Sequence, residues 1–121
     1  MLDLVICDVG YATALLDIWV RQKKVLTVEK AVQKLTSVPA ALFGISNRGV
    51  LAPGKAADLI LFDPDTVAPR PPEYVHDFPD HGRRLISRAD GAAATFIAGA
   101  QVFDHGAHTG ALPGRVLRSY E

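Results

Sequence analysis

Apolar positions follow two regimes, near-helical spacing before Gly44 and extended spacing after it. Residues 2–7 form an apolar run too short for a helix, and β-branched Val5 and Ile6 predict a buried strand there. Gly10 breaks the run. Tyr11, Leu15, Ile18 and Trp19 then recur near helical spacing across residues 11–22, while Ala12, Leu16 and Val20 add a second stripe. A helix apolar over so wide an arc needs more than one neighbour. Thr27 suits the N-cap of a second helix, with Glu29 near its positive end. Val28, Ala31, Val32 and Leu35 fall at i, i+3, i+4 and i+7, a one-face amphipathic pattern. Thr36 and Ser37 start a short third helix with Pro39 in its first turn, and Gly44 suits a left-handed C-cap.

After Gly44 the pattern is that of strands. Pro53-Gly54 has the residues of a type II turn. Leu59-Ile60-Leu61-Phe62 is a continuous apolar strand bounded by Asp58 and Asp63. Residues 65–83 are proline-rich and poor in aliphatics, a loop long enough to pack across a surface. Leu85-Ile86 begins another strand. Residues 93–97 and 101–103 flank Ala98-Gly99-Ala100, a hairpin signal that requires a positive φ at Ala98. Residues 105–118 read as a Gly- and Pro-rich tail without periodicity, and nothing repeats internally. The expected class is α+β, with helices in residues 1–44 and strands plus a tail in 45–121.

The chain has 121 residues, 49% of them apolar and 21% charged, the composition of one soluble globular domain. It is too short for a closed (β/α)₈ barrel, which needs about 250 residues. Thirteen basic residues balance thirteen acidic ones. The resulting zero net charge argues against nucleic acid or an anionic membrane as main partner. A single Cys forms no internal disulfide, and no apolar stretch reaches the length of a membrane span. The apolar run at the N-terminus lacks a basic flank, so it does not read as a signal peptide, and the expected compartment is the cytoplasm.

Candidate chemistry is sparse. His105 and His108 have metal-like spacing, but Gly106, Gly110 and Pro113 disfavour a helix there and no four-donor set is complete nearby. His76-Asp77 and Asp80-His81 form a second polar cluster whose proline-rich setting favours surface turns. Asp8 next to Cys7 disfavours the thiolate, so Cys7 reads as a small buried hydrophobe rather than a nucleophile. Asp8 and Tyr11 follow a parallel-type strand, a position where α/β sites gather, and are the substrate-adjacent candidates. The segment from Gly49 to Gly54 lacks the GK[ST] end of a phosphate loop, and GxSxG, HExxH and CxxC are absent from the sequence.

Three segments together resemble the C-terminal end of a metal-dependent amidohydrolase of the D-aminoacylase and N-acyl-D-amino-acid deacylase group. The first runs from Leu26-Thr27-Val28-Glu29 to Val38-Pro39-Ala40 and resembles the last barrel helix and the short helix after it. The second, Arg48-Gly49-Val50-Leu51-Ala52-Pro53-Gly54-Lys55-Ala56-Ala57-Asp58-Leu59-Ile60-Leu61-Phe62-Asp63, is similar to the signature where the chain enters a small β-sandwich. The third, His108-Thr109-Gly110-Ala111-Leu112-Pro113-Gly114-Arg115-Val116-Leu117-Arg118, resembles the tail of the deacylase branch.

The resemblance implies a TIM-like barrel fragment, its last strand and helices, in residues 1–44 and a small β-sandwich with a tail in residues 45–121. It implies hydrolysis of an amide or N-acyl C–N bond by water activated on zinc or another divalent metal. The family's metal ligands are an early H-x-H pair, further histidines and a late Asp, all upstream of the matched region. No metal ligand and no catalytic residue is therefore expected in this chain, which by itself is expected to be inactive. Gly49, Leu51, Pro53, Gly54 and Asp58 are implied to be structural. The expected partner is the missing barrel portion or further copies of the chain. The alternative is a stand-alone structural or oligomerisation module derived from the sandwich.

Overall fold

The helical half of the chain begins at Gly10 in a computed structural model that describes residues 10–117. The strand expected at residues 2–7 and the candidate Asp8 lie outside the described residues. Helix α1, Tyr11–Ala14, continues as a π-helical run, Leu15–Gln22. The near-α spacing of the sequence does not show this wider winding. Its mark is a set of i, i+5 links: the Lys23 N–H donates to the Ile18 carbonyl at 2.9 Å. The Gln22 amide likewise reaches Asp17, at 2.9 Å. Asp17 is buried and also accepts from the Arg21 guanidinium at 2.6 Å, so its charge is paired in place.

Helix α2, Val28–Leu35, starts where its cap predicts: the Thr27 hydroxyl accepts the Lys30 N–H at 3.3 Å. The Glu29 carboxyl is held below the usual range by a backbone N–H and the Thr27 hydroxyl. Its apolar stripe turns inward at Ala31, which is fully buried. Helix α3, Ser37–Leu42, follows at once, and Gly44 takes the left-handed conformation expected of it (φ +67°).

Among the described residues eight strands follow: β1 Leu59–Phe62, β2 Ala68–Pro69, β3 Glu73–Val75, β4 Arg84–Ile86, β5 Ala89–Asp90, β6 Ala92–Ile97, β7 Ala100–Asp104 and β8 Ala107–His108. Their antiparallel pairing is nested: β1 with β6, β2 with β5, β3 with β4. Residues 59–97 therefore form one interrupted ribbon that turns back at the 3₁₀ turn Pro79–His81. Strands β7 and β8 complete a four-stranded sheet in the order β1-β6-β7-β8.

Two sequence readings change here. The 65–83 segment is not wholly loop, because its two short strands find partners beyond Arg83. The 105–118 tail is not wholly irregular, because His105 and Gly106, both at positive φ, turn the chain into β8. The hairpin at Ala98-Gly99 forms as the sequence predicts, with φ of +49° and +80°, the two positive values of a type I′ turn.

The buried cluster joins the two halves. Leu16 and Ala31 from the helices meet Val67 from the turn after β1, with Leu15, Val20 and Phe62 packed around them. Arg21 clamps the joint by donating to the Val67 carbonyl at 3.0 Å. On the other side of Val67, a Cβ added to Gly91 would lie 2.5 Å from the Val67 nitrogen. Only glycine admits this crossing of the two chain segments.

Candidate functional site

The residues of the Arg48–Asp63 segment converge on the β6–β7 turn. The turn at Pro53-Gly54 closes with the Lys55 N–H donating to the Ala52 carbonyl at 3.2 Å, and Gly54 at φ +82° makes it type II. Gly49 lies against α3, where an added Cβ would come within 2.6 Å of the Ala40 Cβ. Leu51, between them, points into solvent with 84% of its surface exposed.

Asp58 ties these pieces to the sheet. Its carboxylate accepts the Ala98 N–H at 2.9 Å and the Arg48 Nε–H at 2.8 Å. One residue earlier, the Ala57 carbonyl accepts the Gly99 N–H at 3.0 Å. Both residues of the strained turn are thus held by the strand entry 40 positions upstream. The Ala98 N–H above all keeps the Asp58 carboxyl below the usual carboxylate range; partial burial opposes it, and the Arg48 guanidinium adds to the lowering. This arrangement fixes the backbone of the β6–β7 turn.

Tyr11 stands apart from that cluster, at the start of α1, with 66% of its surface exposed. The structure does not bring it together with Asp58. Sequence reasoning also missed the ion pairs that lace the ribbon. Arg70 grips Asp90 across β2 and β5, Arg88 reaches Glu73 at 2.6 Å, and Arg84 reaches Asp77 at 2.6 Å. These partners are 7 to 20 positions apart, so only the register of the ribbon brings them together. An open groove of about 400 Å³ lies on the sheet, with Arg70, Arg88, Thr95, Phe103 and His105 on its walls. Its two arginines are already engaged by Asp90 and Glu73.

The histidines of the tail are also occupied. His105 Nδ1 lies 2.8 Å from Asp104. His108 Nδ1 accepts the Gly110 N–H at 3.0 Å, and its ring meets Phe103 edge-on at 5.1 Å. The Nδ1 lone pair of His108 is therefore already spoken for. Among the described residues no group of three or more His, Cys, Asp or Glu side chains is placed to hold a metal ion. Residues 10–117 do not fit the donor set of a hydrolytic metal centre. Among those residues no helix is long and apolar enough to cross a membrane.

Comparison with known proteins finds a mixed helix-and-sheet unit of this kind in D-aminoacylase. The amidohydrolase family profile matches residues 9–103, and the chain belongs to that family. It is similar to N-acyl-D-aspartate deacylase of Alcaligenes xylosoxydans xylosoxydans, 38% identical over 89% of this chain and 20% of that protein. N-acyl-D-glutamate deacylase of the same organism is 48% identical over 50% of this chain and 12% of its own length. A solved structure of D-aminoacylase, from work on the functional role of its binuclear metal centre, superposes with a TM-score of 0.67 at 33% identity. That match covers 84% of this chain and 20% of the D-aminoacylase chain. The chain thus spans about a fifth or less of the length of these relatives.

Proposed function

We propose that this chain is the C-terminal segment of an amidohydrolase that cleaves amide or N-acyl C–N bonds, and that it buttresses the catalytic part without supplying reacting groups. The observation that carries the reading is the likeness to D-aminoacylase, shared in backbone and in sequence over 84% of the chain. The likeness to the deacylases named above supports N-acyl-D-amino acids, the acidic ones first, as the substrate class of the whole enzyme. In such an enzyme a bound divalent metal activates the attacking water. The residues of this chain do other work: the Arg21 clamp joins helices to ribbon, and Asp58 pins the hairpin turn. In this reading residues 1–44 are terminal barrel elements and residues 45–121 a small β-sandwich with its tail, and the whole is cytoplasmic.

The direct test is hydrolysis of N-acetyl-D-glutamate and N-acetyl-D-aspartate by the purified chain, with and without added Zn²⁺ or Co²⁺. The expected result is no turnover above the buffer blank. Metal-dependent turnover by the chain alone overturns the assignment of a purely supporting role. A second reading, a stand-alone oligomerisation module, draws on one specific observation: among the described residues strand β1 is paired on one side only.

A further inference from the structure

Asp90 is the one aspartate of the sequence that is followed by glycine. That junction carries a chemical hazard. With no Cβ beside it, a glycine nitrogen reaches the carboxyl carbon of a preceding aspartate unhindered. Other aspartates precede bulkier residues, as in Asp17-Ile18, Asp58-Leu59 and Asp104-His105. Yet the fold requires this glycine. Gly91 stands at φ +74°, its carbonyl accepts the Asp63 N–H at 2.8 Å, and a Cβ there would meet the Val67 backbone. Asp90 itself lies opposite Ala68 in the β2–β5 pair, with 49% of its side chain open to solvent. The Arg70 Nε–H and Nη2–H both donate to its Oδ1, the former at 2.8 Å. This grip orients the carboxylate, and the guanidinium holds the carboxyl below the usual carboxylate range.

We propose that the Asp90–Gly91 junction is a site of spontaneous backbone modification, the conversion of Asp90 to isoaspartate, and that Arg70 is the residue that restrains it. The Gly91 nitrogen bonds to the Asp90 Cγ and gives up its proton as the carboxyl hydroxyl departs. One water is released and a succinimide ring forms. Water then adds back to the ring. Opening at the side-chain carbonyl restores Asp90, whereas opening at the main-chain carbonyl routes the backbone through Cγ and lengthens it by one methylene. No oxidant, reductant or other reagent enters. Ring closure uses the neutral carboxyl in a freely rotating side chain, so an ionised carboxylate pinned by Arg70 closes slowly. The lengthened backbone falls where the two chain segments cross at Val67, so modification here loosens the joint that holds the buried cluster. This inference does not depend on the deacylase reading.

Ageing the purified chain at body temperature and mildly acidic pH, followed by peptide mapping with mass spectrometry, tests it. Isoaspartate is expected to accumulate at Asp90 ahead of every other aspartate, with a precursor lighter by one water. Arg70→Gln, folded by circular dichroism, is expected to raise the rate at Asp90 at least about threefold, the scale of losing an exposed ion pair. High salt screens that pair, and is expected to raise the rate in the unmodified chain as well. Isoaspartate that forms first at another aspartate overturns the inference. An unchanged rate at Asp90 in folded Arg70→Gln overturns it too, because Arg70 then restrains nothing. If that variant fails to fold, the salt series on the unmodified chain decides: a rate that salt does not raise overturns the inference.

Discussion

Ala98 holds a φ of +49°, a conformation that costs an L-residue with a Cβ about 1 kcal/mol and that asparagine tolerates better. Ala98→Asn is therefore expected to stabilise the chain by about 0.5–1 kcal/mol, read as a higher urea midpoint at unchanged slope. Asp58 acts on the same turn from the opposite side. Asp58→Asn weakens a charged acceptor that is one third exposed, and the expected loss is about 1 kcal/mol at neutral pH. Its carboxyl lies below the ordinary 3.8 in the folded chain, so the unfolded chain binds the proton more readily. The contribution of Asp58 is thus complete above pH 3.8 and fades as the pH falls through the lower folded value. The gap between wild type and Asp58→Asn should narrow below about pH 4, and a gap that widens on acidification would contradict the assignment. The requirement for positive φ at Ala98 was legible in the sequence. That Asp58 is its partner was not, because 40 positions separate the two and only the pairing of β1 with β6 closes that distance.

At the scale of elements, the one crossing that cannot relax is Gly91 against Val67. Gly91→Ala adds a Cβ 2.5 Å from a backbone nitrogen at a φ of +74°, and is expected to destabilise the chain by at least about 2 kcal/mol, measured by urea unfolding. A loss below about 0.5 kcal/mol would mean that the ribbon does not cross the turn after β1 as described. Elements defined by local pattern were readable: α2 by its cap and stripe, β1 by its apolar run, the β6–β7 hairpin by its flanks. Elements defined by a distant partner were not. Strands β2, β3 and β8 have two or three residues each, too few for a periodic signal, and exist because β5, β4 and β7 lie beside them. The π-helical winding of Leu15–Gln22 also escaped, since its i, i+5 links through Asp17 leave the apolar stripes nearly unchanged.

For the whole molecule, the family was legible in long motifs, above all the segment from Arg48 to Asp63, and the comparisons place the chain in that family. The core was not legible. Six apolar residues are buried among those described, three of them alanines, and Trp19 stays exposed although its spacing reads as core-facing. Helical periodicity reports that a face wants a neighbour but not whether this chain supplies it. Sparse burial and a short share of each relative's length support the proposed role, a supporting layer for a larger hydrolase. The most direct measurement replaces the matching fifth of N-acyl-D-aspartate deacylase with this chain and assays the purified, metal-loaded chimera on N-acetyl-D-aspartate. The account predicts metal-dependent hydrolysis by the chimera and none by the deacylase lacking that fifth or by this chain alone. A folded, metal-loaded chimera without activity, or turnover by this chain without the catalytic part, would contradict it.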